Sequence, residues 1–195
     1  MTHLPAAQLG GSVNRVHHLY HWPDYDARDQ ACSVDGTQPD WKQLRDKLTS
    51  TRSLVMVEAT ACLNECGLPG AQGYASPSAV AGDERQVAWE LRTYQLVLGY
   101  TTVPTFLELY SAGLKDKLAA DDSGASQLAT LLYSDCGPLN LVMELWRHES
   151  LQRSQDSRQA SRKASKWRDA VNDIAKIAHS FDTQFMRPLP GSPWH

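Results

Sequence analysis

The chain aligns with itself. Shifted by 126 positions without a gap, Gly11 falls on Gly137, Asn14 on Asn140, Val16 on Val142, Leu19 on Leu145 and Trp41 on Trp167. Conservative pairs lie between these identities: Val13 with Leu139, Tyr20 with Trp146, Lys42 with Arg168 and Leu48 with Ile174. A Gly-x-x-Asn turn, an alternating segment and a distant Trp held in one register are what a recurring structural unit produces, and a repeat constrains the fold before any local propensity does.

In the second copy, residues 140–148 alternate with the period of a strand, placing Val142, Glu144, Trp146 and His148 on one side and Leu141, Met143, Leu145 and Arg147 on the other. The second set is the expected core face. Ala160, Ala164, Trp167, Val171, Ile174, Ala178 and Phe181 then step by three and four, the stripe of one long amphipathic helix. A last strand over 182–187 ends at Pro188. The first copy repeats the order with a strand over 14–22, a helix around Trp41, Leu44 and Leu48 that Gly36 and Pro39 interrupt, and a strand over 54–58.

Only the second copy has a front half. Residues 87–98 read as a strand, with Val87, Trp89, Leu91 and Thr93 alternating against Glu90, Arg92 and Tyr94. Thr101 or Thr102 caps a helix with Pro104 in its first turn and Phe106, Leu107, Tyr110, Leu114 and Leu118 facing inward. After a polar loop containing Gly124, a strand over 128–133 returns. Strand, helix, strand, strand, helix, strand is the resulting order. Pro69, Gly70, Gly73, Pro77 and Gly82 give residues 60–86 a linker composition.

Hydrophobic residues make up 42% of the chain and charged residues 21%, a balance that excludes a disordered or collagen-like polypeptide. A formal charge of −3 offers no field to gather nucleic acid, which is not an expected partner. Apolar runs such as residues 139–146 are broken by Asn140 and Glu144 and fall short of the roughly 20 residues a membrane span needs. The chain therefore reads as soluble, at most peripheral to a membrane complex. Cys32, Cys62, Cys66 and Cys136 fit neither a disulfide framework nor a zinc signature, which favours a reducing compartment.

Glu90-Leu91-Arg92-Thr93-Tyr94, Phe106-Leu107-Glu108-Leu109-Tyr110, Gly137-Pro138-Leu139-Asn140 and Leu145-Trp146-Arg147-His148-Glu149-Ser150-Leu151 occur in that order, with Arg158 and Trp167 downstream. Together these motifs resemble the NIPSNAP family. The resemblance implies an α+β fold: a ferredoxin-like βαββαβ unit with an antiparallel sheet, preceded by a partial second copy (a βαβ half), together of the dimeric α/β-barrel type. On this reading residues 1–59 are a NIPSNAP-like half-domain, 60–86 the linker, 87–190 a complete domain and 191–195 a tail. The sequence departs from the family pattern at Leu98-Gly99, where Pro-Gly is usual, at Ser134-Asp135 in place of Thr-Glu, and at Ser154, which occupies an arginine position. The resemblance further implies a mitochondrial location and a protein without an established reaction, although the N-terminus shows no presequence pattern.

A half-domain of two strands and one broken helix leaves apolar faces and sheet edges that a small unit cannot satisfy alone. Its cover is expected from the second domain, from a second copy forming a homodimer, or from a protein partner. Candidate partner contacts are Trp22, Arg153, Arg158 and Trp194, aromatic or basic side chains outside the apolar stripes. For a small-molecule pocket the candidates are Arg92 and Tyr94, which share a strand face with Glu90, and His17 and His21, which share a face in the first copy. His17, His18 and His21 lack metal-ligand spacing, and no catalytic residue, metal or cofactor is singled out. The expected function is thus a non-catalytic interaction or scaffold protein, an accessory subunit of a larger mitochondrial assembly. The alternative is a small-molecule-binding barrel enzyme, oxygenase-like or isomerase-like.

Overall fold

The alternation read around Leu91 and Leu145 is realised as two adjacent strands at the centre of an antiparallel sheet. The structure, a computed structural model, describes residues 2–4, 7–12, 15–33, 49–75, 87–189, 192 and 194. The elements run β1 (Thr2–Leu4), β2 (Ala7–Leu9), β3 (His17–Leu19), α1 (Tyr25–Ser33), β4 (Val55–Glu58), α2 (Thr60–Glu65), α3 (Gly70–Gly73) and β5 (Ala88–Leu96), then α4 (Thr102–Ala120), β6 (Ser126–Cys136), β7 (Leu141–His148), α5 (Leu151–Ser161), α6 (Ser165–Ile177) and β8 (Ala178–Met186). Strand order in the main sheet is β2-β8-β5-β7-β6-β4, and β1 pairs with β3 apart from it. The α+β, ferredoxin-like order expected for the second copy is therefore present. The first-copy helix around Trp41 lies outside the described residues.

The N-terminal strands do not stand alone. β4 adds to the outer edge of β6 with Val57 opposite Tyr133, and β2 adds to β8 with Ala7 opposite Met186. Of the covers expected for the first copy, the second domain takes these two strands. The segment expected as a linker carries α2 and α3, and Ala71 N–H donates to Glu58 Oε1 at 2.7 Å, tying α3 to the end of β4.

Three expectations need correction. The long helix is two, because the chain opens at Ala164 (ψ 109°) between α5 and α6. α5 turns Ser154, Ser157 and Ser161 inward, a helical spacing made of serines that an apolar count misses. Val171 and Phe181 are exposed, and both Ala178 and Phe181 belong to β8, so the buried stripe runs through Ala164, Trp167, Ala170 and Ile174. Finally, the core face of β7 includes the set passed over: Val142 and Trp146 lie under α4 and α6, with Glu144 and His148 on the same buried face.

Both faces of the sheet are covered. On one, Phe106, Tyr110 and Leu114 of α4 and Trp167 and Ile174 of α6 pack on Tyr94, Leu96, Leu131, Val142 and Trp146. On the other, Val87, Trp89, Leu91, Ala129, Leu145 and Met186 surround Trp194, with Leu19 and Tyr74 packed alongside. Each large side chain so buried stabilises the fold by about 1.5–3 kcal/mol. The Gly-x-x-Asn turn has a direct cause: Asn140 takes a left-handed φ of 56°, and its Nδ2 donates to the carbonyls of Val97 (2.7 Å) and Gly99 (3.1 Å).

Candidate functional site

The polar residues of β5 and β7 meet on the helix-covered face, because antiparallel pairing sets Glu90 opposite Trp146, Arg92 opposite Glu144 and Ala88 opposite His148. Glu90 is the hub. It accepts hydrogen bonds from Arg92 Nε (2.9 Å) and Nη2 (3.1 Å), from Arg158 of α5, and from His148 Nε2 at 3.0 Å. Glu144 accepts from the Tyr94 hydroxyl at 2.6 Å and from Trp146 Nε1 at 2.5 Å, and lies 3.7 Å from Arg92 Nη1. Ser126 Oγ stands 2.8 Å from His148 Nδ1, closing the chain at the start of β6.

Burial and charge together set the titration of these groups. Burial alone would raise the Glu90 carboxyl, but the hydrogen bond from His148 and the Arg92 and Arg158 charges outweigh it and hold it well below the usual carboxylate range. Burial lowers His148 and outweighs the Glu90 contact. A neutral imidazole fits its partners, with Nε2–H donating to Glu90 and Nδ1 accepting from Ser126. Arg92 and Arg158 balance Glu90 and Glu144, which leaves Lys117 as an extra cation. Burial, then the Arg92 charge, push its amine well below the ordinary lysine value. Among the described residues its Nζ has no hydrogen-bond partner and rests 3.7 Å from the centre of the Trp146 ring and 4.4 Å from that of Trp167. Burial also raises the Tyr94 and Tyr110 hydroxyls, with the Glu144 charge adding to it.

The sequence candidates separate. Arg92 and Tyr94 belong to this cluster. His17 is half-buried over the opposite face, 3.4 Å from Gln184, which pairs with Leu91; His21 is exposed with Nδ1 2.9 Å from Gln72 Nε2. The structure thus does not gather these four around one cavity. Of the residues expected to face partners, Trp22 and Arg153 are exposed, Arg158 is held by Glu90, and Trp194 is buried, stacked on Trp89 at 5.3 Å between ring centres. Glu144, His148 and Lys117 join the cluster without having been singled out. The first two were legible as polar residues alternating on the strand paired with β5; nothing in the sequence marked Lys117 among the leucines of α4.

Chemically, the cluster is closed on itself. Each carboxylate is occupied by donors from the protein, and the hydroxyl–imidazole contact of the cluster, Ser126 Oγ with His148 Nδ1, is buried, the two residues being 8% and 1% exposed. The Arg158 side borders an open cleft of about 360 Å³ lined by residues that include Leu9, Leu151, Arg158, Arg162 and Phe185.

A sequence profile described as NIPSNAP matches residues 89–193, more than half of the chain. The structure is similar to that of a NIPSNAP family protein of unknown function from Agrobacterium tumefaciens, with 21% identity, a TM-score of 0.51, and coverage of 58% of this chain and 97% of that one. It is also similar to a provisionally assigned monooxygenase from Lactobacillus acidophilus, with 7% identity and a TM-score of 0.53 over 95% of this chain and 75% of that one. At these identities the likeness is one of fold, and in the second case it covers nearly the whole chain. Comparison with curated proteins returns no match.

Proposed function

We propose, for a chain that belongs to the NIPSNAP family, a non-catalytic role as an interaction or scaffold protein, working as an accessory subunit of a larger mitochondrial assembly. One observation carries the reading: among the described residues, the buried polar cluster is bonded within the protein and the opposite face of the sheet is filled by apolar side chains. On the helix face Glu90 and Glu144 are bonded by Arg92, Arg158, His148 and Tyr94, and on the other face Trp194 stacks on Trp89 and meets Tyr74 edge-on within the apolar cluster. Among the described residues strand edges remain available: β4 ends the main sheet, and β3 pairs only with β1. The mitochondrial location rests on family membership. The test is the native mass of the endogenous protein after mild detergent extraction. The reading expects a mass far above 21.7 kDa with defined companions, and a free monomer or simple homodimer would overturn it.

A second reading is supported by the cleft beside Arg158 and by the fold shared with a provisionally assigned monooxygenase: a small-molecule-binding enzyme, oxygenase-like or isomerase-like. An anionic ligand bound there would raise Tm by mass action. Absence of any thermal shift with haem or aromatic acids would leave that reading without support.

A further inference from the structure

The repeat shows which piece of the first copy is missing. In the 126-residue register β3 corresponds to β7 and β4 corresponds to the middle of β8. β7 lies between β5 and β6, and β8 lies between β5 and β2. The two copies exchange strands reciprocally, β4 pairing with β6 and β8 with β2. β1 and β2 together therefore play the part of β6, one pairing with β3 and the other with β8. What β3 and β4 both lack, among the described residues, is the same neighbour: the counterpart of β5, and with it the counterpart of α4.

The side chains on that face agree. Val142 and Trp146 are 0% and 2% exposed because α4 and α6 cover them, whereas their counterparts Val16 and Tyr20 are 43% and 39% exposed. His18, Tyr20 and Trp22 continue the same alternation and stack in a row, with ring centres 6.2 Å apart at each step. An aromatic row of this kind, beside a strand edge that no described strand pairs with, is a surface shaped for an added strand and the helix that follows it.

Resting on the interaction reading above, we infer that this surface receives a strand followed by an amphipathic helix from a different polypeptide, laid between β3 and β4 as β5 and α4 are laid between β7 and β8. The second copy of the unit specifies the occupant: an extended segment of about the length of β5, then a helix presenting apolar side chains to Val16, Tyr20 and Trp22. Another molecule of this chain is a poor donor, because its own β5 is hydrogen-bonded on both edges and its Trp89 and Glu90 are wholly buried.

The test places a photo-reactive amino acid at Tyr20, at Val57 or, as a control at the far loop, at Tyr100, in the full-length chain in its native cells. Tyr20→Glu is examined alongside. The inference expects cross-links from positions 20 and 57 to one contiguous strand-helix segment of another protein, and at least a tenfold loss of that protein from the native complex with Tyr20→Glu. Thermal unfolding of the purified variant should match wild type, since Tyr20 is already part-exposed. A companion retained by Tyr20→Glu and cross-linked only from position 100 would overturn the inference while leaving the interaction reading intact. Cross-links to residues 88–120 of a second copy would overturn the foreign donor in favour of a swap. A monomer with no cross-link from any position would overturn both.

Discussion

Glu90→Gln keeps the shape of the hub and removes its charge. The wild-type carboxylate takes two bonds from Arg92, one from His148 and one from Arg158. Counted separately at about 1.5–3 kcal/mol for each charge-assisted bond, they would sum to about 6–12 kcal/mol, comparable to the whole stability of a domain. Arg158, with its side chain 40% exposed, relaxes into water and contributes little. Arg92 cannot follow, because its side chain is 10% exposed and its one other carboxylate is Glu144 at 3.7 Å. The expected cost is that of breaking a buried pair by deleting one member, about 3–5 kcal/mol. At about 2–4 °C per kcal/mol for a chain of this size, Tm falls by roughly 6–20 °C. The pH dependence gives an independent check. Since the folded carboxyl titrates below its ordinary value of 4.5, its contribution is complete above that pH and is lost as pH falls through the lower folded value. Urea unfolding of wild type and variant should therefore show a gap at pH 7 that narrows below about pH 4.5. A gap under about 1 kcal/mol at pH 7, or one unchanged from pH 6 to pH 3, would refute the assignment of Glu90 as the hub.

Lys117→Met removes an unpaired buried amine, so the variant should be more stable than wild type at pH 7 by about 1–3 kcal/mol. Because the folded amine sits well below 10.5, wild type gains stability as pH rises toward that value, and the advantage of the variant should shrink by pH 10 in the same urea titration. Gly113→Ala places a Cβ 2.7 Å from that of Ala170 and 3.1 Å from the Lys166 carbonyl oxygen and Trp167 Cα; overpacking of about 1–3 kcal/mol exceeds the helix-propensity gain of about 1, so Tm drops, and adding Ala170→Gly recovers only part of the loss because the two backbone contacts remain. A stabilised single variant would show that α4 and α6 have room to part. Trp194→Ala uncovers Trp89 and should cost about 3 kcal/mol while increasing binding of a hydrophobic dye; unchanged stability would mean that the C-terminal residues do not hold the sheet.

Strand alternation around Glu90 and Glu144 was readable because period 2 survives in both strands, and strands are present at 17–19 and 55–58, where the repeat register sets them against β7 and β8. Which face of β7 met the helices was not readable, since both faces are buried and hydrophobicity no longer distinguishes them. α5 was fused to α6 because its inward residues are serines. β1 and β2 are three residues each, too short for any period to register. α2 and α3 sit in Gly- and Pro-containing sequence and are fixed by tertiary contacts, such as the Glu58 carboxylate that caps α3 and accepts Thr130 Oγ1 at 2.6 Å. Within the site, Arg92 and Tyr94 were found from their shared face. Their partners required the register between β5 and β7, which no single strand contains.

That register is what the buried cluster protects. Ion pairs of this kind contribute little net stability compared with an apolar core of the same volume, and their best-attested value is specificity. A one-residue slip of β5 against β7 would turn every side chain to the opposite face. Glu90, Arg92 and Tyr94 would enter the apolar cluster around Trp89 and Trp194, leaving Glu144, His148 and Arg158 unpaired beneath the helices. The small side chains Ser154, Ser157 and Ser161 let α5 approach closely enough for Arg158 to reach Glu90, so the lock extends from the two strands to the helix above them. A sheet that accepts added strands at both edges, β2 on one and β4 on the other, gains most from such a lock. Each added strand reads its position from its neighbour, and a shift at the centre would be transmitted to both edges and to whatever docks there.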